Sequence, residues 1–195
     1  MNMTMKKLYN IVAIIGPSGC GKDTLLKELV RVNPDKAHKI INCTTRPIRE
    51  GEVNGIDYHY LSNDKFAQQV LNLDMLEATC FNDWFYGTSV SSLVEDKINL
   101  GIFSPEAVYN LLENPNLNIF IIQLTASDKT RLLRQLVREE DPDVDEIIRR
   151  FNADKLDFAN IDIPFRLILE NESFEDLQYN ISHVSKLLNG LGESD

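Results

Sequence analysis

The chain has 195 residues, enough for one ordinary domain that buries roughly 70% of the surface its unfolded form exposes. Hydrophobic residues make up 43%, with only 9 glycines and 7 prolines, which excludes a disordered, fibrous or low-complexity chain. Asp and Glu number 30 against 20 Lys and Arg, a formal charge of -10, so nucleic acid polymers and anionic membranes are repelled and any small anion needs local positive groups.

The chain opens with Lys6 and Lys7 before the apolar run Ile11–Ile15, which stops at Gly16-Pro17. That run is too short for a signal peptide or for the roughly 20 apolar residues of a membrane helix. Cys20, Cys43 and Cys80 form no Cys-x-x-Cys pair, and His38, His59 and His183 are scattered, so neither a disulfide framework nor a zinc site is expected. A reduced, soluble, cytoplasmic protein is expected.

Four β-branched-rich runs predict buried parallel strands: Tyr9 to Ile15, Lys39 to Cys43, Asn118 to Leu124 and Phe165 to Leu169. Ile98 to Ser104 is a weaker fifth. Helices are predicted over Thr24 to Val30, over Pro105 to about Leu112 behind the N-cap Ser104, and over Asp128 to Glu140 behind Ser127. Another runs from Asp141-Pro142 to about Phe158, and a last one opens at the capping box Ser173/Asp176 and stops near Gly190. Strand and helix alternate, which predicts an α/β fold with a parallel sheet. Between Thr44 and Tyr86 the pattern changes to strands at Asp57 to Leu61, Met75 to Phe81 and Trp84 to Tyr86 around one helix, Asn63 to Leu71, as in an inserted subdomain. The acid-rich stretch Glu139 to Glu146 fits a solvated turn feeding a helix N-terminus.

Gly16-Pro-Ser18-Gly19-Cys20-Gly21-Lys22-Asp23-Thr24 follows the first strand and opens a helix, the context a phosphate-binding loop requires. Its glycines let backbone N–H groups converge on phosphate oxygens, the helix N-terminus adds a positive dipole, and Lys22 reaches the outer phosphates. Asp23 stands where Ser or Thr normally ligates Mg²⁺. Its carboxylate either ligates the metal directly or turns away as a helix cap.

Arg46 and Arg49, three apart in a turn-rich loop, suit a phosphate monoester together with nearby tyrosine hydroxyls. Glu77 sits in a strand between apolar residues, and an ionised carboxylate there accepts two hydrogen bonds at once. In the helix after Ser127, Arg131, Arg134 and Arg138 share one stripe, while Leu132, Leu133, Leu136 and Val137 are expected on the packed side.

The run Thr44-Thr-Arg46-Pro-Ile-Arg49-Glu-Gly51-Glu-Val-Asn-Gly55-Ile-Asp57-Tyr58-His-Tyr60, followed by Glu77 and by Tyr86-Gly87-Thr88-Ser89, resembles the nucleoside-monophosphate-binding segment of guanylate kinases. With the phosphate loop and the later arginines, the likeness spans about Val12 to Asn171. It implies a P-loop kinase with a parallel core sheet flanked by helices, an inserted β-rich nucleoside-monophosphate-binding subdomain and a helical lid. Within a single domain of 1–195, the core would be 1–43, 87–126 and 159–195, the subdomain 44–86 and the lid 127–158.

The resemblance implies ATP-dependent phosphorylation of GMP. Gly16, Ser18, Gly19, Cys20, Gly21, Lys22, Asp23, Thr24, Arg134 and Asn171 would bind ATP. Asn42, Arg46, Arg49, Tyr58, Glu77, Tyr86 and Thr88 would bind GMP. Lys22, Arg134, Arg138 and Arg150 would stabilise the transferring group, with Arg149 open as the alternative to Arg150. Family members carry a strand ending in Asp-x-Asp-x-Gln-Gly; here Ile98 to Ser104 has no acid, so Asp23 is expected to supply the charge that holds Mg²⁺. A monomer or homodimer is expected. The rivals are a kinase of another nucleoside monophosphate or of ribose bisphosphate, whose relatives also look like Gly-Lys-Asp in the loop, and a non-catalytic phosphopeptide-binding module.

Overall fold

Alternating side chains on the first strand, β1 (Tyr9–Ile15), send Val12 and Ile14 to one face of a sheet and Ile11, Ala13 and Ile15 to the other, and both sets are buried. A strand buried on both faces belongs inside a helix-covered parallel sheet. The computed structural model describes residues 9–191, apart from Glu50, Asn82, Glu139, Asn160 and Phe165. In it β1 lies between β7 (Ile98–Ile102) and β8 (Leu117–Thr125), with β2 (Ala37–Lys39) and β9 (Arg166–Glu170) outside them. The order is β2-β7-β1-β8-β9, and every pairing is parallel.

One face packs on α1 (Lys22–Val32) through Leu25, Leu26 and Leu29, and on α6 (Phe174–Leu191) through Ile181, Val184 and Leu188. The other packs on α3 (Pro105–Leu112) through Val108 and Leu111, with Ile163 beside them. In such a sheet ligands gather beyond the carboxyl ends of the strands, and the loop after Ile15 emerges there.

A second sheet, in the order β4-β3-β6-β5, holds β3 (Cys43–Thr44), β4 (His59–Tyr60), β5 (Met75–Phe81) and β6 (Trp84–Ser89), with α2 (Asn63–Leu71) against it. Here β6 runs antiparallel to both β3 and β5. Beyond β8 come α4 (Asp128–Leu136) and α5 (Val144–Ala159).

Several boundaries differ from expectation. The strand expected over Lys39 to Cys43 is two strands in two sheets. Ile40 N–H still bonds Leu100 of the core, but Asn42 carbonyl already accepts from His59 of the second sheet. The weak fifth strand, β7, is an inner strand with Ile98, Asn99, Leu100 and Gly101 buried. β4 keeps only two residues of the expected Asp57 to Leu61, whereas β6 runs on to Ser89. Helix α4 ends at Leu136 rather than Glu140, and α6 continues through Gly190. Phe165, the expected start of β9, lies outside the described residues. Among those residues no helix is long and apolar enough to cross a membrane.

Candidate functional site: two anion-binding clusters

The loop between β1 and α1 turns on glycines held at positive φ. Gly19 (φ 82°) and Gly21 (φ 97°) occupy the left-handed region, which other residues adopt at a cost. A Cβ on Gly19 would also lie 2.5 Å from the Arg131 carbonyl oxygen. Among the described residues, the N–H groups of Gly19, Gly21, Lys22, Asp23 and Thr24 donate to nothing, so five donors face one concavity at a helix N-terminus. Lys22 folds back across it, its Nζ donating to the carbonyl oxygens of Gly16 (2.7 Å) and Pro17 (3.2 Å).

Gly21 is the N-cap of α1, with no side-chain cap, so Asp23 does not cap the helix. Its exposed carboxylate makes no hydrogen bond or ion pair with the described residues. Its charge reaches Tyr58, whose hydroxyl is pushed up to about 12 by burial and then by Asp23. One free carboxylate beside a phosphate cradle fits Mg²⁺, which is usually held by one or two carboxylates plus substrate phosphates. No group of three metal-ligating side chains exists among the described residues.

Asn171 closes the far side of the loop. Its Nδ2 donates to Cys20 carbonyl (2.8 Å), its own carbonyl accepts from Arg134 Nη1 (2.8 Å), and its buried Oδ1 has no partner. Arg134 also donates to Gly19 and Glu172 carbonyls, so it is drawn into the loop. Arg138, past the end of α4, is exposed and is not brought to the loop.

The second sheet gathers the other cluster. Arg46 is buried and donates through Nη2 to Glu52 Oε1 (2.8 Å) and through Nη1 to Pro47 carbonyl (2.8 Å). Its guanidinium lies 5.6 Å and 5.7 Å from the Tyr58 and Tyr60 ring centres. Glu52 also accepts from Tyr60 hydroxyl (2.7 Å) and Arg49 N–H (2.8 Å). Burial pushes the Glu52 carboxyl up, but these three donors outweigh it and hold it at about 2. Tyr58 and Tyr86 meet edge to face at 6.2 Å.

Arg49 is lowered from the ordinary arginine value by partial burial and then by the positive charges of Arg150 and Arg46. Arg150 comes from α5, where it shares Glu146 with Arg149. Three guanidiniums from two elements therefore converge where an anion would relieve their repulsion.

Glu77, 7% exposed, lies on β5 opposite Thr88 of β6. Thr88 Oγ1 donates to Glu77 Oε1 (2.7 Å) and lies 3.1 Å from Asn42 Oδ1, while Asn42 Nδ2 donates to Ile102 carbonyl (3.0 Å). Glu77 Oε2 is buried without a partner, and burial raises the carboxyl to about 7. A buried unpaired acceptor is costly unless a ligand completes it.

Apart from Arg138, the expected site residues fall into two groups, near enough for the charge of Asp23 to act on Tyr58 and that of Arg150 on Arg49. Sequence reasoning overlooked Glu52 and Tyr60, which preset Arg46, although the signal was present in Glu52 standing three residues after Arg49. It also misplaced Arg131. The expected faces of α4 hold only in part: Arg131 is 4% exposed, while Leu133 (51%) and, just past the helix, Val137 (78%) face solvent; Leu132 is half-buried and Arg138 exposed as expected. Arg131 turns inward because Ser18 carbonyl and the carboxylates of Asp154 and Asp128 await it there.

The family model described as guanylate kinase matches residues 9–189. The guanylate kinase of Helicobacter hepaticus is 34% identical over 141 residues, covering 70% of this chain and 70% of that protein. The guanylate kinase of Mycoplasma genitalium is 30% identical over 170 residues, covering 85% and 70%. The crystal structure of guanylate kinase from Anaplasma phagocytophilum shares the fold, with a TM-score of 0.67 at 16% identity over 97% of this chain and 89% of that one. A phosphate loop by itself would leave many nucleotide enzymes open, but a match that runs through both clusters and nearly the whole chain does not: this protein belongs to the guanylate kinase family.

Proposed function

We propose that the chain transfers the γ-phosphoryl group of ATP to GMP, giving ADP and GDP. The observation that carries the choice of acceptor is the buried Glu77 carboxylate with one oxygen unpaired. Guanine offers two adjacent donors to such a group, whereas adenine presents an acceptor at N1 that would leave the carboxylate unsatisfied. Thr88 and Asn42 complete the base site, and Arg46, Arg49, Tyr58 and Tyr86 hold the acceptor's phosphate. The donor phosphates lie in the cradle of Gly16, Ser18, Gly19, Cys20, Gly21, Lys22, Asp23 and Thr24, and Asn171 and Arg134 border the adenine. Asp23 would hold Mg²⁺, which neutralises phosphate charge when bound.

Residues 44–86 then act as the acceptor subdomain and 127–158 as the lid over the core. Lys22, Arg134 and Arg150 stabilise charge on the transferring group, and Arg138, which lies away from the loop in this structure, would join them when the lid closes. The acceptor phosphate is already anionic, so no general base is required, and positioning with water exclusion supplies most of the catalysis. Three free cysteines accord with a reducing, cytoplasmic setting. The same reading has a monomer or homodimer that acts on small nucleotides, with the acidic surface repelling nucleic acid and anionic membranes.

ADP release measured with GMP, dGMP, AMP, UMP and ribose bisphosphate tests this. Turnover with GMP should exceed that with AMP by about 100-fold or more in kcat/KM. Comparable rates with AMP, or activity confined to the sugar ester, would remove the assignment.

A further inference from the structure

We propose that Asp154 and Arg131 are positioning residues that tie the lid to the phosphate loop through the single peptide residue Ser18. The inference rests on the assignment of ATP to that loop. Asp154 Oδ2, on α5, accepts the Ser18 N–H at 2.7 Å and Arg131 Nη2 at 2.9 Å. Arg131, on α4, returns to the same residue, its Nε donating to Ser18 carbonyl at 3.0 Å. The four groups close a ring in which one ion pair grips both backbone polar groups of one loop residue.

The ring is not a surface accident. The side chains of Arg131 and Asp154 are 5% and 15% exposed, and the Arg131 guanidinium lies 4.7 Å from the Phe151 ring centre. Arg131 also reaches Asp128 at 3.3 Å, whose other oxygen takes Lys155 at 3.1 Å. Next in the chain, Gly19 packs so closely on the Arg131 backbone that no side chain fits between them. Charge-assisted bonds in partly desolvated surroundings are the strong ones, and a bidentate grip fixes orientation as well as distance.

Asp154 is not a plug in the phosphate cradle. It takes one donor of the cradle, the N–H of Ser18 at its edge, and among the described residues leaves the donors of Gly19, Gly21, Lys22, Asp23 and Thr24 free. The Ser18 peptide therefore moves with α4 and α5. A lid that shifts on this hinge reshapes the first half of the loop, so the donor phosphates and the lid sense each other through the Ser18 backbone as well as through Arg134.

Amide hydrogen exchange at Ser18, with separate ATP and GMP kinetics, tests this on the full chain. In Asp154→Ala, Ser18 exchange should rise and the KM for ATP should increase, each by about tenfold, the loss expected for one charge-assisted bond. The KM for GMP should stay within about twofold, since no acceptor residue is touched. Asp154→Asn, which keeps an acceptor oxygen, should restore most of both effects. Unchanged Ser18 exchange, or ATP and GMP constants that move together or not at all, overturns the proposal. Should Asp154→Ala fail to fold, Arg131→Lys, which keeps the charge but loses the Nε donor, is judged by the same criteria. If the wild type neither binds ATP nor phosphorylates GMP, the kinase assignment falls, and Ser18 exchange alone decides whether the ring holds the loop.

Discussion

At Glu77, burial and the proposed recognition of guanine pull in opposite directions. The folded protein holds this carboxyl near 7, well above its ordinary value, so folding favours the protonated form. Its stabilising contribution is complete below the unfolded value of about 4.5 and is lost as pH rises through 7, a span of order 3 kcal/mol. Guanine recognition needs the opposite form, because only the carboxylate accepts two bonds. GMP affinity in calorimetry should therefore rise from pH 6 to pH 8, and Glu77→Gln should abolish that rise while weakening GMP by about 10- to 100-fold. The same variant should melt higher than wild type at pH 8 and closer to it at pH 5, the signature of a site maintained against stability. Asp23 offers a second test at this scale. Asp23→Asn should raise the magnesium concentration for half-maximal rate by about tenfold or more, comparable with the loss of a supporting ligand group. An unchanged magnesium requirement would remove Asp23 from metal binding.

At the level of elements, periodicity sufficed where local pattern and tertiary environment agreed. β1, α2 and β5 have the expected ends, because alternation, the Ser62 cap and the surrounding turn residues all act locally. The caps Ser104 and Ser127 and the reciprocal Ser173/Asp176 box are also as expected, each with its side-chain bond formed. The glycine-turned loop after β1 and the gathering of Arg46 with Tyr58 and Tyr60 follow for a similar reason, since each is built within a short stretch of chain. Among the elements that differ from expectation, two were not legible for a tertiary reason. The apolar run before Cys43 could not reveal that its partners lie in different sheets. The faces of helix α4 were misread in part because its apolar stripe outweighed, in transfer terms, a guanidinium whose partner is 23 residues away on another helix. Urea denaturation of single variants should reflect this difference. Leu133→Lys and Val137→Lys should stay within about 0.5 kcal/mol of wild type. Arg131→Leu should cost about 3 kcal/mol or more by stranding Asp154.

Across the whole molecule, a net charge of -10 encloses a lining of opposite sign. Arg46 and Arg49, in the loop after β3, lie within electrostatic reach of Arg150 on α5, and Arg149 lies 5.6 Å from the Phe81 ring centre at the end of β5. An acceptor phosphate placed there lowers repulsion between parts of the fold as well as filling a pocket. GMP at about 100 times its Kd should add ~2.7 kcal/mol of stability, which for a chain of this length raises Tm by roughly 5–10 °C. Added salt should weaken that binding. A thermal shift series with GMP at two ionic strengths checks both. On one side, residues 40–42 carry the chain from the edge strand β2 into the smaller sheet, and Asn42 joins Ile102 of the core to Thr88 beside Glu77. If Glu77 reads the base as proposed, a turn of the smaller sheet about that short axle moves the purine pocket with it. Pivot and reading head would then be the same few atoms, with selectivity and closure geared together rather than tuned apart.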